Sequence, residues 1–273
     1  MNIHSLYLDF FKFLEERPFL AENWAAYSTL YYQPNSSFLD TYFSHFPLIN
    51  FSNLKDRVEA LKSADYAQLK NLVSVCPPEK IIKDAYRVCR ELLSPQEEPD
   101  VYLMVGFFSP EGFVMNFQGK PVICFGLERF RDFRLLKILF AHEYAHYLLN
   151  WSRGEVPEDK EFKWLVISEG IGTCFSQCVF PDHKLSDHLL FRRDKLNWCQ
   201  DNESLLREIY CSGKYSAREL MDFDAKGNPD LNLPPRAAKY LGYLAVRNYL
   251  GQKRSPDFSD LLSDKNLIFS LNL

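Results

Sequence analysis

The chain has 273 residues, of which 47% are apolar and 25% charged, with a net charge of −4. That is enough apolar material for one large domain or two small ones, and it excludes a globally disordered chain. The mild acidity and the lack of a basic stripe argue against a nucleic-acid partner, and Arg192–Arg193–Asp194–Lys195 reads as a solvated face.

Met1 to Leu20 carries Asp9, Lys12, Glu15, Glu16 and Arg17 among its apolar residues, which is not the pattern of a signal peptide. No apolar run reaches the ~18–20 residues that cross a bilayer; Lys137 interrupts the best candidate, Leu135–Ala141. The seven cysteines are odd in number and dispersed, as expected of reduced thiols. Cys174 and Cys178, one helical turn apart, have a spacing that could share a metal, but the simpler reading is two small buried residues on one helix face. The expectation is a cytoplasmic protein with no membrane partner.

Residues 1–97 read as helices. Leu6, Phe10, Phe13 and Leu14 recur at helical spacing, as do Ile81, Ile82, Ala85, Tyr86, Cys89, Leu92 and Leu93. Tyr7, Tyr31 and Tyr32 read as core or interface aromatics. Turn signals fall at Gln33–Ser37, Pro77–Pro78 and Ser94–Pro99, and the last marks a boundary. Beyond it, Val101–Phe108, Phe113–Phe117 and Val122–Phe125 are β-prone with turn-like links, which predicts a small antiparallel meander. Helical patterns then continue nearly to the end. The fold class expected is α+β, with a helical region over 1–97 and a second domain over 98–273.

Leu135–Leu149 has strong helix formers, no Gly or Pro, and Asp132 as a possible N-cap. His142 and His146 stand four apart on one helix face, so their rings can reach one metal ion. Glu143, beside the first histidine, is turned away from the ion yet can hold a water bound to it, which is the chemistry of a His-Glu-x-x-His zinc motif. A hydrolytic zinc site needs a third protein ligand. Glu169 lies in the apolar helical pattern Phe162–Phe175, where a carboxylate is costly to bury unless it is paired or metal-bound. Gly170 and Gly172 weaken that helix, as expected where it passes close to another backbone or to a metal site. A salt-bridged Glu169 is the alternative.

His142-Glu143-x-x-His146 followed by Glu169-Gly-Ile-Gly resembles the gluzincin metallopeptidases. Within them it looks like the bacterial predicted zinc-dependent proteases, whose Tyr-x-Gly-Tyr-like helix is similar to Tyr240-Leu-Gly-Tyr243. The resemblance covers about residues 100–250, and the 22 residues between His146 and Glu169 are a few more than in thermolysin-like members, a difference that Trp151–Lys160 would absorb as a loop. It implies a zincin-like unit, Zn²⁺ as cofactor, a peptide or protein substrate, Glu143 as general base, and Tyr240 or Tyr243 as oxyanion donor, with Tyr240 preferred. It also implies that Val122–Gly126 is a sheet edge to which a peptide could pair; plain strand packing is the other reading. Two other classes stay open: a zinc-containing binding or regulatory protein with little turnover, and a hydrolase of a non-peptide amide.

Among the remaining candidates, His183 and His188 have the wrong spacing for one helix face and read as surface residues, the lesser reading being that one reaches the cleft as a transition-state donor. Arg236 could bind a substrate carboxylate, although a salt bridge is the simpler role.

Overall fold

A four-stranded sheet forms around the predicted strands. The structure, a computed structural model, describes residues 1–16, 22–46, 51–107, 110–152, 156–252, 258–271 and 273; Arg17, Phe108, Ser109 and residues 153–155 of the predicted loop lie outside them. Strands β1 (Asn2–Ser5), β2 (Asp100–Met104), β3 (Gly112–Phe117) and β4 (Lys120–Gly126) run in the order β1-β2-β4-β3. β1 pairs with β2, and β2 with β4, in parallel; β3 and β4 form an antiparallel hairpin. Its two-residue turn has positive φ at Gln118 (51°) and Gly119 (80°), the backbone that matches strand twist in tight hairpins.

The fold is therefore α+β, but two expectations are corrected. The sheet is mixed, not an antiparallel meander, and β1 comes from the stretch read as wholly helical. β4 has a partner on each side, so Val122–Gly126 is not a sheet edge. The reason lies in its composition: every residue from Pro121 to Gly126 is buried, and a continuous apolar run suits a strand covered on both faces.

The chain divides into two compact units, Met1–Asp84 with Pro95–Lys137, and Ala85–Ser94 with Ile138–Leu273. In the first, the helices Tyr7–Glu16 and Ser36–His45 present aromatic residues to the sheet. The Phe38 ring stacks on Tyr102 with centroids 4.0 Å apart. Tyr31 and Tyr42 are fully buried, and each hydroxyl donates to a carbonyl just beyond β2, of Val105 and Gly106 respectively, at 2.9 Å. Those bonds satisfy phenols that would otherwise oppose burial. The predicted turn at Gln33–Ser37 is instead helical, a 3₁₀ segment (Gln33–Asn35) with Pro34 in its first turn, leading into Ser36–His45.

The described part of the second unit is helical apart from one bridge between Asn228 and Leu233. Three helices matter most: Leu136–Ser152, Glu161–Val179 and Ala238–Gly251, called here the histidine, glutamate and lysine helices. Asp132 does not cap the first of them; its carboxylate accepts the Arg134 N–H at 3.0 Å and closes a turn before the helix begins. The glutamate and lysine helices cross at two glycines. A methyl on Gly170 would run into the Gly242 carbonyl, and one on Gly242 into the Val166 carbonyl. Two glycines unfavourable for helices thus permit backbone-to-backbone contact. Of the cysteine pair on the glutamate helix only Cys174 is buried; Cys178 is exposed, contrary to expectation. Among the described residues no helix is long and apolar enough to cross a membrane.

Gly242→Ala should therefore destabilise the chain by about 1–3 kcal/mol or more, the usual range for overpacking. Gly251→Ala, where an added methyl meets nothing within 4 Å, should change stability by less than about 0.5 kcal/mol. Chemical denaturation of the two variants compares them directly.

Candidate metal centre

The histidine helix is apolar on nearly every side, so it buries most of its surface and fixes the rotamers of its polar residues. Tyr144 anchors it by donating to the Leu93 carbonyl at 2.7 Å. Its apolar side chains are buried from Ile138 through Ala141, and His142 and Glu143 are buried with them. One turn on, His146 faces the same way as His142. Gly172 of the glutamate helix lies against this face, where a methyl would sit 2.8 Å from the His142 ring. The glycine leaves the room that the imidazole occupies.

Glu169 completes the group, one turn before Thr173 on the same helix. His142 Nε2 lies 3.1 Å from His146 Nε2 and 3.3 Å from Glu169 Oε2, and His146 Nε2 lies 3.6 Å from Glu169 Oε1. Ligand atoms of the three all fall within 4.8 Å of one another. Donors about 2.0–2.2 Å from a tetrahedral ion stand roughly 3.3 Å apart, so the spacing suits a small divalent metal. Two further observations fit. Glu169 Oε2, one of the prospective ligand atoms, is buried and accepts no well-angled hydrogen bond among the described residues, although Lys239 Nζ lies 2.8 Å from it. Two facing imidazole nitrogens also repel unless a proton or a cation lies between them. The three side chains can hold a metal ion, and His146 with Glu169 keeps partial access to solvent.

The electrostatics favour ligand forms at two of the three positions. Burial pushes His142 down to about 3, with the Lys239 ammonium adding to the effect, so the ring is neutral and able to ligate. Burial would raise the Glu169 carboxyl, but Lys239 and the two histidines hold it well below the usual carboxylate range. Burial opposes charge on His146; hydrogen bonding to Glu169 and the charges of Glu143 and Glu169 outweigh it, and its pKa rises. Burial pushes Glu143 up to about 7.

The residue that sequence reasoning missed is Lys239. Its side chain is only 2% exposed, and its Nζ lies 2.8 Å from Glu169 Oε2 and 3.5 Å from His142 Nε2. Arg236 approaches the same oxygen at 3.9 Å, a long ion pair that agrees with the simpler of its two expected roles. Arg236 has a left-handed backbone (φ 59°) just before the lysine helix, and the Asp224 carboxylate accepts the Ala238 N–H in the first turn at 2.9 Å. That geometry starts the helix. A signal for Lys239 was present: a lysine inside Ala237-Ala238-Lys239-Tyr240-Leu241 is a buried charge in need of a partner, as Glu169 is.

Tyr240 and Tyr243 are both buried, with ring centroids 6.4 Å apart, and Arg247 lies over the Tyr243 ring at 5.3 Å. Among the described residues neither hydroxyl forms a hydrogen bond with the His–His–Glu group. His188 is not a surface residue: it is fully buried, and its Nδ1 lies 3.0 Å from Ser176 Oγ. The short helix Leu185–Leu189 returns it to the glutamate helix, a contact that linear spacing does not reveal.

Gly172→Ala should leave the helical content intact, because alanine suits a helix. It should displace the His142 ring and weaken divalent-metal binding by about tenfold or more, measured by metal titration alongside circular dichroism. Compared with known proteins, the chain matches no family model, no curated protein and no solved structure, so the ligand set itself carries the functional argument.

Proposed function

We propose that the chain is a zinc-dependent hydrolase of peptide bonds. The observation that carries this reading is the convergence of His142, His146 and Glu169 on one point, with Glu143 next to the first ligand in sequence. Two imidazoles and one carboxylate form a donor set typical of hydrolytic zinc, which keeps a coordination position for water or substrate. Bound there, zinc would supply Lewis acidity, polarising the scissile carbonyl and making a water acidic enough to attack at neutral pH.

The chain's own groups would do the rest. His142, His146 and Glu169 hold the ion. The Glu143 carboxylate accepts the proton of the attacking water and passes it to the leaving amine. Its raised pKa suits this task, since a carboxylate that binds a proton near neutrality is both an adequate base and a ready acid. A phenol, Tyr240 or Tyr243, would donate a hydrogen bond to the developing oxyanion. The resemblance to the gluzincins supports the same assignment.

Purified protein loaded with zinc should cleave a denatured protein or a peptide library, and a chelator should stop it. Glu143→Gln should retain zinc near stoichiometry and lose hydrolysis, because an amide oxygen cannot take up the proton; Glu169→Ala should instead weaken zinc binding. Full turnover in Glu143→Gln would overturn the proposed base. Zinc binding without turnover on any amide would favour a binding protein, and cleavage of small amides alone would favour a non-peptide hydrolase. Tyr240→Phe should lower kcat with zinc content unchanged; if it does not, Tyr243→Phe is the next variant to measure.

The pH profile provides a further check. Glu143 must be ionised to act as base, so kcat/KM should fall as pH drops through its pKa. Burial raises that pKa to about 7 from 4.5, while a nearby metal cation would draw it down. The acid limb is expected at or below about 7, and it should move in Glu143→Asp.

A further inference from the structure

A lysine buried against two prospective metal ligands is unusual. An ammonium has donors and no acceptor, so it must approach Glu169 and His142 through their lone pairs. Lys239 Nζ does so at 2.8 Å from Glu169 Oε2 and 3.5 Å from His142 Nε2. These are atoms that a metal would also need. Among the described residues they are the two polar contacts of the amine.

A basic group near a metal site usually supports it. It binds the outer oxygen of a ligating carboxylate, orients it, and its loss weakens the metal about 10–100-fold. At Glu169 that role would fall to whichever oxygen the ion leaves free, but Lys239 Nζ also lies 3.5 Å from His142 Nε2, the nitrogen by which that ring would ligate. Oε1 faces His146 at 3.6 Å, and Oε2 faces His142 at 3.3 Å. Lys239 approaches Oε2, the oxygen nearer His142, and His142 Nε2 itself, so the amine lies beside prospective ligand atoms. It also has little freedom to leave. Its side chain is 2% exposed, and its helix is held at the Gly170–Gly242 crossing. Arg236, with 49% of its side chain exposed and a contact of 3.9 Å, is free to turn outward; Lys239 is not.

We propose that Lys239 competes with the divalent ion for Glu169 and His142 and so keeps this centre's hold on its metal weak and exchangeable. The inference rests on the metal-centre reading above. Like charges at such range repel strongly in a poorly solvated site, and the ammonium and the ion draw on one shared set of lone pairs. Burial lowers the pKa of Lys239; Glu169 and Glu143 favour its charged form, and Arg236 and Lys195 oppose it.

The test is the sign of a change in affinity. Zinc binding to the full chain is measured by competition with a chromophoric chelator for wild type, Lys239→Met, Lys239→Gln and Lys239→Arg. The two neutral variants should bind zinc at least about tenfold more tightly, opposite in sign to the loss of a supporting residue, while Lys239→Arg should stay near wild type. Unchanged or weaker binding in the neutral variants overturns the inference, and so does tightening in Lys239→Arg equal to theirs. If the neutral variants fail to fold without metal, they are refolded with zinc. Recovery supports competition, because the ion then replaces the ammonium as counter-charge to Glu169; continued unfolding overturns it. Wild type and variants that all bind no divalent ion would remove the metal centre along with the inference, whereas wild-type binding without tightening removes the inference alone.

Discussion

The negative charge of Glu169 is the constraint around which the second unit is organised. A carboxylate largely withdrawn from water needs compensation, and here it comes from two imidazoles on the histidine helix and from an ammonium and a guanidinium near the start of the lysine helix. An isolated buried charge of this kind would be strongly destabilising. The packing of three helices is thus coupled to one functional group. Loss of a buried partner would therefore disturb the packing and the site together.

That coupling depends on small residues. The glutamate helix carries Gly170 and Gly172 one residue apart on each side of Ile171, so they face different neighbours. The first admits the backbone of the lysine helix, and the second admits the His142 ring. Gly242 answers Gly170 from the opposite helix. A chain with alanine at all three positions would have better helices in isolation and a worse site, since intrinsic helix propensity and close approach make opposite demands.

Much of this was legible from the linear pattern because it obeys local periodicity. The four-residue spacing of the histidines follows it, whereas the carboxylate within an apolar run and the paired glycines break a local rule, and each marks a real contact. Lys239 obeys the same logic, but its partners lie on other helices, and a lysine at the start of a helix passes for an ordinary surface residue. His188 was misread because a short helix folds it back onto Ser176. The sheet was misread for another reason. Strand existence follows from β-prone runs, whereas strand order depends on which runs are covered on both faces. Uniform burial of Pro121–Gly126 was the clue that β4 is central.

The parallel pairing of β1 with β2 bears on how the chain is made. Asn2 pairs with Asp100, 98 residues later, and none of the intervening segments offers β1 a strand partner among the described residues. Synthesis at about 5–20 residues per second leaves β1 waiting for several seconds before its neighbour emerges. Loop-closure entropy then slows the joining further, since non-local strand pairs are late events in folding. An unpaired strand is an invitation to wrong partners. This one is only four residues long and reads Asn-Ile-His-Ser, so three of its four side chains are polar. Its brevity and polarity protect the nascent chain during the interval that its topology imposes.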